Sequence, residues 1–249
     1  MANKFVVGIR WFEAKPQKVL PQLAALNKAV STALGAGAEH VLIAINGDRD
    51  VSPISQIVAP EKVTFIKVTP AGSFVPMLNA ILMAGRQHFA QGCHMLISST
   101  EMGYNETDVE VLFSYMDGHT ACVGAALEGH DYHPGTTIKE ANGVQIPWNT
   151  FSLLNPYAVC VTGIPMLGDG TFLDLSTAGV EELITYAVIQ RLYNSQVKLV
   201  SIPSSNGWDT RNFTGERLEA HKKKMASKIS RPAAQLQFAN LKAPTVQHI

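Results

Sequence analysis

Short apolar segments alternate with amphipathic segments of helical period in the first part of this chain. The helical segments lie at residues 18–34 and 76–89, and the apolar ones at 5–9, 40–45, 63–68 and 93–98. Strands that are apolar on both faces are typical of a parallel sheet that helices cover on both sides. The sequence therefore predicts an α/β fold with a mostly parallel central sheet and helices on both faces.

The pattern changes after about residue 102, although no repeat or linker sequence divides the chain. We predict a buried strand at 120–127, a helix at 179–193, a strand at 197–202 and an amphipathic helix near 214–229. We therefore expect a single α/β domain over residues 1–234, with a first half at about 1–102 and a second half at about 103–234. The tail, residues 235–249, is expected to be loosely structured.

Charge and cysteine content argue against several classes of protein. The 20 basic residues balance the 20 acidic ones, whereas nucleic-acid-binding proteins usually have a clear basic excess. Cys93, Cys122 and Cys160 lie far apart without metal-ligand spacing, which indicates reduced thiols in a cytosolic protein. No segment approaches the roughly 20 apolar residues that a membrane span needs. We therefore expect a cytoplasmic protein that binds no nucleic acid and does not cross a membrane.

The most specific pattern lies at residues 76–102. Asn79 stands near the start of a predicted helix, Ala90-Gln91-Gly92 ends it, and an apolar strand follows. This order resembles the central part of the family-2 glycosyltransferases, which have the nucleotide-diphospho-sugar transferase, or glycosyltransferase A, fold. In that family the strand delivers an Asp-x-Asp pair that holds a divalent metal. Here Ser99-Thr100-Glu101 stands in its place, so the resemblance implies a transferase with a degenerate Asp-x-Asp motif.

The resemblance covers about residues 4–210 and implies a nucleotide-binding first half and an acceptor-binding second half. Ligands of open α/β sheets bind beyond the carboxyl ends of the strands. The resemblance thus implies that a UDP- or GDP-linked sugar contacts Arg10, Asn46, Asp48, Asn79, Ser99, Glu101 and Arg191. The alternative for Asn46-Gly47 is a turn that is followed by solvated charges.

The resemblance also implies a divalent cofactor, Mg²⁺ or Mn²⁺. These metals prefer several carboxylate oxygens, and in this motif only Glu101 supplies one. In some related transferases a C-terminal His completes the site, which makes His221 a candidate ligand; the alternative is a solvated helix residue. A metal-independent enzyme is also open, in which cationic side chains take up the charge of the leaving group. The cations available for this are Arg211, Arg217, Lys222, Lys223 and Lys224.

An acidic pair marks the predicted acceptor half. Gly168-Asp169-Gly170 precedes Glu181 and Glu182 at the start of a helix, and Arg191 comes near the end of that helix. In inverting members of the family, an acidic residue at this place is the general base that deprotonates the acceptor hydroxyl. Glu181 or Glu182 is therefore the predicted catalytic residue. The alternative is structural, because acidic residues favour the first turn of any helix.

The predicted function is transfer of a sugar from a nucleotide-sugar donor to an unidentified acceptor hydroxyl. The alternative is a non-catalytic relative that binds a nucleotide, a sugar or a protein partner, because the metal-binding aspartates are missing. Both functions are compatible with a homo-oligomer. A nucleotidyltransferase of related fold would usually have a Gly-rich, basic first loop, which Gly8-Ile9-Arg10-Trp11 does not supply.

Overall fold

The computed structural model describes residues 3–11, 19–47, 57–71, 74–170, 174–204 and 213–249. The strands in these residues are β1 (Phe5–Trp11), β2 (His40–Asn46), β3 (Val63–Val68), β4 (His94–Ser98), β5 (Thr120–Ala125), β6 (Thr136–Ile138), β7 (Phe151–Leu154), β8 (Gln196–Val200) and β9 (Val246–His248). The helices are α1 (Val19–Gly35), α2 (Val75–Phe89), α3 (Glu106–Ser114), α4 (Pro156–Thr162), α5 (Glu181–Tyr193), α6 (Gly215–Ala226) and α7 (Ser230–Ala239). None of these helices is both long enough and apolar enough to cross a bilayer.

All nine of these strands belong to one sheet, in the order β3-β2-β1-β4-β7-β5-β8-β9-β6. The pairings of β1 with β2 and β4, of β2 with β3, and of β8 with β5 and β9 are parallel. Strand β7 runs antiparallel between β4 and β5, and β6 is antiparallel to β9. The prediction of a mostly parallel sheet is therefore confirmed.

The winding direction of the sheet reverses at β1. Strands β2 and β3 lie on one side of it, and β4 lies on the other. In open α/β sheets such a reversal creates a crevice at the carboxyl ends of the two strands, where ligands bind. A ligand site is therefore expected at the carboxyl ends of β1 and β4.

Apolar side chains fill both faces of the sheet. Within β1, Val6 packs in the same cluster as Ile81 of α2, whereas Val7 packs in the same cluster as Leu26 of α1. Successive strand residues point to opposite faces, so a strand that is covered on both sides must be apolar throughout. This requirement explains why the uninterrupted apolar segments predicted the central strands correctly.

The C-terminal residues differ from the loosely structured tail that the sequence predicts. Helix α7 extends to Ala239, and β9 adds to the sheet beside β8. Val246 and His248 of β9 are only 0% and 1% exposed. His248 Nδ1 accepts a hydrogen bond from the backbone N–H of His133 at 3.0 Å. The sequence does not reveal this strand, because it is short and its partners lie far away along the chain.

Gly8 tests how tightly β1 packs against α2. A Cβ added at Gly8 would stand 2.5 Å from Ile81 Cγ2 and 2.9 Å from Ile97 Cδ1. Gly8→Ala is therefore expected to lower the free energy of unfolding by about 1–3 kcal/mol through overpacking. Gly35→Ala is the matched control, because nothing lies within 4 Å of a Cβ at this last residue of α1. The free energy of unfolding of this variant should equal that of the parent protein or be slightly higher. Urea denaturation compares the two variants, and equal stabilities would contradict the packing.

Candidate functional site

The carboxyl ends of β1 and β4 carry two buried polar atoms that have no hydrogen-bond partner among the described residues. The last residues to pair between these strands are Ile9 and Ser98, so Arg10 and Ser99 follow side by side on strands about 4.8 Å apart. Nη1 of Arg10 and Oγ of Ser99 are both buried and have no hydrogen-bond partner among the described residues. Buried N–H and O–H groups are nearly always hydrogen-bonded, so these two groups are available to a polar ligand.

Arg10 also contacts the start of α2. Its guanidinium carbon lies 4.4 Å from the centre of the Phe74 ring, and Phe74 is the residue that precedes α2. The Asp169 carboxylate accepts hydrogen bonds from the backbone N–H groups of Phe74 at 2.6 Å and Val75 at 2.8 Å. Asp169, which lies in the second half of the chain, thus caps α2. The Gly-rich motif at 168–170 did not reveal this role in the sequence.

Asn79 holds a loop in place. Its side-chain N–H donates to the carbonyl of Ile164 at 2.9 Å, and its Oδ1 accepts the backbone N–H of Ile164 at 2.8 Å. These two bonds fasten the residues after α4 to α2. They account for the position of Asn79 in the helix without a ligand.

Glu181 and Glu182 begin α5 close to the end of β4. Oε1 of Glu182 accepts the backbone N–H of Asn149 at 2.8 Å, and Oε1 of Glu181 accepts the side-chain amide of Asn149 at 3.2 Å. The carbonyl of the next residue, Thr150, accepts the backbone N–H of Ser99 at 3.0 Å. The structure therefore brings the predicted catalytic pair and Ser99 to the same edge of the sheet.

Both carboxyl groups are buried, with Glu181 4% and Glu182 8% exposed. The dipole of α5 favours acidic residues at this position but does not explain their burial, which disfavours the charged form. Burial and the neighbouring charge of Glu181 raise the pKa of Glu182 to about 7, against the opposing effect of Lys228. A carboxyl group that titrates near neutral pH is suited to proton transfer.

A buried aromatic and cationic cluster adjoins Asn149. Trp148 is 1% exposed, and its ring stacks on His130 with 3.6 Å between the ring centres. The ammonium group of Lys228, a residue that is only 6% exposed, lies over the same ring. Burial lowers the pKa of His130 to about 3, so its imidazole is neutral. Sequence reasoning missed Asn149 and Lys228 as neighbours of the acidic pair, because only the tertiary fold brings them there.

The described residues do not form the metal site that the resemblance implies. They contain no group of three or more His, Cys, Asp or Glu side chains that could hold a metal ion. Glu101 is partly exposed in the turn after β4, and the ring of His221 on α6 stands edge-on to Phe213, with 5.1 Å between the ring centres. One carboxylate with two neighbouring hydroxyls does not supply the oxygen ligands that Mg²⁺ or Mn²⁺ needs.

The remaining predicted residues lie at different places. Asn46 ends β2 at the same edge as Arg10, whereas Asp48 and Arg211 lie outside the described residues. Arg191 is exposed in the last turn of α5, about 15 Å along the helix axis from Glu181. The structure therefore does not bring Arg191 to the carboxyl edge of the sheet.

Comparisons with known proteins support the fold but not a narrower family. No protein-family model and no curated protein sequence matches the chain. A crystal structure of 4-diphosphocytidyl-2C-methyl-D-erythritol synthase is similar over 91% of this chain and 99% of its own, with a TM-score of 0.52 and 11% identity. This likeness confirms the predicted α/β fold with a large, mostly parallel sheet.

Two further solved structures have lower scores. One is 4-diphosphocytidyl-2C-methyl-D-erythritol synthase from Anaerococcus prevotii DSM 20548, with a TM-score of 0.48, 13% identity, and coverage of 90% of this chain and 96% of its own. The other is a cytidylyltransferase from Leptospira borgpetersenii serovar Hardjo-bovis (strain JB197), with a TM-score of 0.45, 9% identity, and coverage of 96% and 94%. The likeness to the first of the three structures does not support membership of the family-2 glycosyltransferases or an Asp-x-Asp motif.

The raised pKa of Glu182 predicts a pH-dependent stability. Between the ordinary pKa of 4.5 and the folded-state value of about 7, the folded protein keeps a proton that the unfolded chain has lost. This stabilising contribution is complete below pH 4.5 and is lost as the pH rises to about 7, a change on the order of 3 kcal/mol. Glu182→Gln should remove this part of the dependence because it cannot ionise.

The measurement is the free energy of unfolding by urea at several pH values between 4.5 and 8. Glu110→Gln, which removes an exposed carboxylate on α3, is the control and should follow the parent protein. If Glu182→Gln has the same pH dependence as the parent protein, the raised pKa is wrong.

Proposed function

We propose that this chain is a transferase that binds a nucleotide-sugar at the carboxyl ends of β1 and β4 and transfers the sugar to an acceptor hydroxyl. The observation that carries the proposal is the pair of buried, unpartnered polar atoms on Arg10 and Ser99. They lie at the reversal of strand order, where ligands of open α/β sheets bind.

The donor diphosphate would bind at this edge. An arginine N–H that is buried without a protein partner suits a phosphate oxygen, because charge-assisted hydrogen bonds of this kind are strong and directional. The Ser99 hydroxyl would donate a second hydrogen bond to the same group. Asn46 at the end of β2 and Asp48 after it would contact the nucleoside, and Glu101 would lie beside the diphosphate.

Glu182 would act as the general base. Its carboxylate would take the proton of the acceptor hydroxyl while the acceptor oxygen attacks the anomeric carbon of the sugar. The bond from that carbon to the phosphate oxygen would break, and the nucleoside diphosphate would leave with its negative charge beside Arg10. A pKa of about 7 gives Glu182 both a substantial ionised fraction and enough basicity for this transfer. Glu181 would orient it through the shared contact with Asn149.

No step of this scheme uses a metal ion. Glu101, Ser99 and Thr100 do not fit Mg²⁺ or Mn²⁺, and the described residues offer no other group that does. The scheme therefore assigns the leaving-group charge to the guanidinium of Arg10.

Nucleotidyl transfer is the second candidate function. The likeness to 4-diphosphocytidyl-2C-methyl-D-erythritol synthase favours it, since that structure has a TM-score of 0.52 and the name of its product contains a diphosphocytidyl group. In this case a nucleoside triphosphate would be the donor and pyrophosphate the leaving group. The same Arg10 and Ser99 groups would then contact the triphosphate.

Ligand binding provides the first test of the proposal. We expect one of UDP, GDP, CDP or their sugars to raise the melting temperature, because a ligand at a hundred times its Kd adds about 2.7 kcal/mol to the stability of the folded state. Arg10→Gln should weaken this binding at least about tenfold, since it removes a charged contact to the phosphate. EDTA should leave the shift unchanged.

Arg86→Gln is the matched control, because it removes an exposed arginine of α2. The ligand affinity of this variant should equal that of the parent protein. The absence of a shift with every nucleotide, or an undiminished shift in the Arg10 variant, would contradict the site.

The catalytic role of Glu182 is tested by kinetics. Glu182→Gln keeps an oxygen that can accept the Asn149 N–H but removes the base, so kcat should fall by about 10²–10⁴-fold. The Kd of the donor should stay the same. Glu110→Gln is the control and should have the parent kcat.

The products separate the candidate functions. Release of a nucleoside diphosphate from a nucleotide-sugar supports sugar transfer, whereas release of pyrophosphate from a nucleoside triphosphate identifies nucleotidyl transfer. Nucleotide binding without either product across a panel of acceptors would identify a non-catalytic relative.

A further inference from the structure

A cleft lies at the end of α5 that is remote from Glu181. It has a volume of about 480 Å³ and is lined by Ala187, Gln190 and Arg191 of α5 and by residues 240–244. Those residues connect α7 to β9. The volume falls within the range of small-molecule sites in proteins. The residues of α5 that line this cleft lie about 9 to 15 Å along the helix axis from Glu181, so the cleft is distinct from the site at the carboxyl edge of the sheet.

Hydrogen bonds fix the wall of this cleft. The side-chain N–H of Gln190 donates to the Thr245 carbonyl at 2.8 Å, and Oε1 of Gln190 accepts the Thr245 backbone N–H at 2.8 Å. The carbonyl of Pro244 accepts the backbone N–H of Ala141 at 2.9 Å, and Ala141 is itself fully buried. The connection to β9 is thus fastened to both α5 and the core. A preformed wall reduces the entropy that is lost when a ligand binds.

Among the described residues, no acidic side chain balances the positive charge of the cleft. Arg191 and Lys242 are both exposed, and the described residues that line the cleft include no Asp or Glu. Neither cation has a hydrogen-bond or ion-pair partner in the part of the chain that the structure describes. The carboxyl-terminal ends of α5 and α7 favour nearby cations, which accounts for the sign of the charge. The helix ends do not explain why a cleft lies between Arg191 and Lys242.

The rest of the lining is largely apolar. Ala187 contributes from α5, and Leu241, Ala243 and Pro244 contribute from the connection to β9. Apolar walls with a few convergent polar groups are typical of sites for small organic molecules. The fitting ligand therefore has one anionic group and a compact apolar body.

We propose that this cleft binds a small organic anion, either a carboxylate or a phosphate monoester with an apolar body. The anionic group contacts Arg191 and Lys242, and the guanidinium can bind either kind of oxygen pair in a bidentate manner. The apolar body lies against Leu241 and Ala243. The ligand is not a substrate of the site at β1 and β4, so this inference does not depend on the proposed transferase activity.

The test is a titration of the full chain followed by ¹H–¹⁵N NMR, with benzoate, phenyl phosphate and the neutral control benzamide. We expect saturable shifts at Ala187, Lys242 and Ala243 with at least one of the two anions, at a Kd of about 1 mM or below. The preferred anion distinguishes a carboxylate from a phosphate ligand. The double substitution Arg191→Gln and Lys242→Gln should weaken binding at least about tenfold, because both charge-assisted contacts are lost.

Arg86→Gln, which removes an exposed cation on another helix, is the matched control and should bind like the parent protein. An unchanged melting temperature shows that the double variant is folded. If the double variant is unfolded, the two single variants are tested in its place. Absence of saturation with both anions, equal binding of benzamide, or undiminished binding by the folded charge variants would each overturn the proposal.

Discussion

Strand β7 determines how the two halves of the chain meet. It runs antiparallel between β4 and β5 and hydrogen-bonds to both, with Leu154 opposite Met95 and Cys122. Because it enters the sheet against the direction of its neighbours, the residues before it lie at the carboxyl end of β4. Asn149 and Thr150 are therefore placed between Ser99 and the start of α5. The hydrogen-bonded connection from the acidic pair through Asn149 and Thr150 to Ser99 depends on this reversed strand.

The sequence predicts the parts of this fold whose signals are local. Strands β1, β2 and β4 are apolar on both faces, and this pattern alone indicates a covered parallel sheet. Strands β7 and β9 have four and three residues, too few for a pattern, and they are stabilised by partners far along the chain.

The same limit applies to the candidate site. Glu181 and Glu182 stand out at a helix start, but Asn149 lies 33 residues from Glu182, so no local pattern joins them. For Arg191, a local pattern gave a wrong prediction. Its spacing after the acidic pair agrees with the resembling family, but α5 is long enough to place Arg191 at the opposite end of the helix from Glu181. Asn79 is recognisable in the sequence, whereas its two bonds to Ile164 appear only in the fold.

The buried acidic pair links stability to chemistry. Removing two carboxyl groups from water is costly unless hydrogen bonds and opposite charges compensate. Here Asn149 supplies hydrogen bonds, and the charges of Lys228 and Arg231 act on the pair. The compensation is incomplete for Glu182, which is why its pKa rises. A carboxylate whose ionised form destabilises the fold accepts a proton readily. The burial that lowers the stability of the fold therefore also makes Glu182 the strongest candidate for the general base.

The proposed site is tested most directly by a crystal structure of the protein with the nucleotide-sugar that it binds. We expect the diphosphate within hydrogen-bond distance of Arg10 Nη1 and Ser99 Oγ, with the sugar directed towards Glu182. A nucleotide bound elsewhere, with Nη1 of Arg10 still unpaired, would contradict the proposed site.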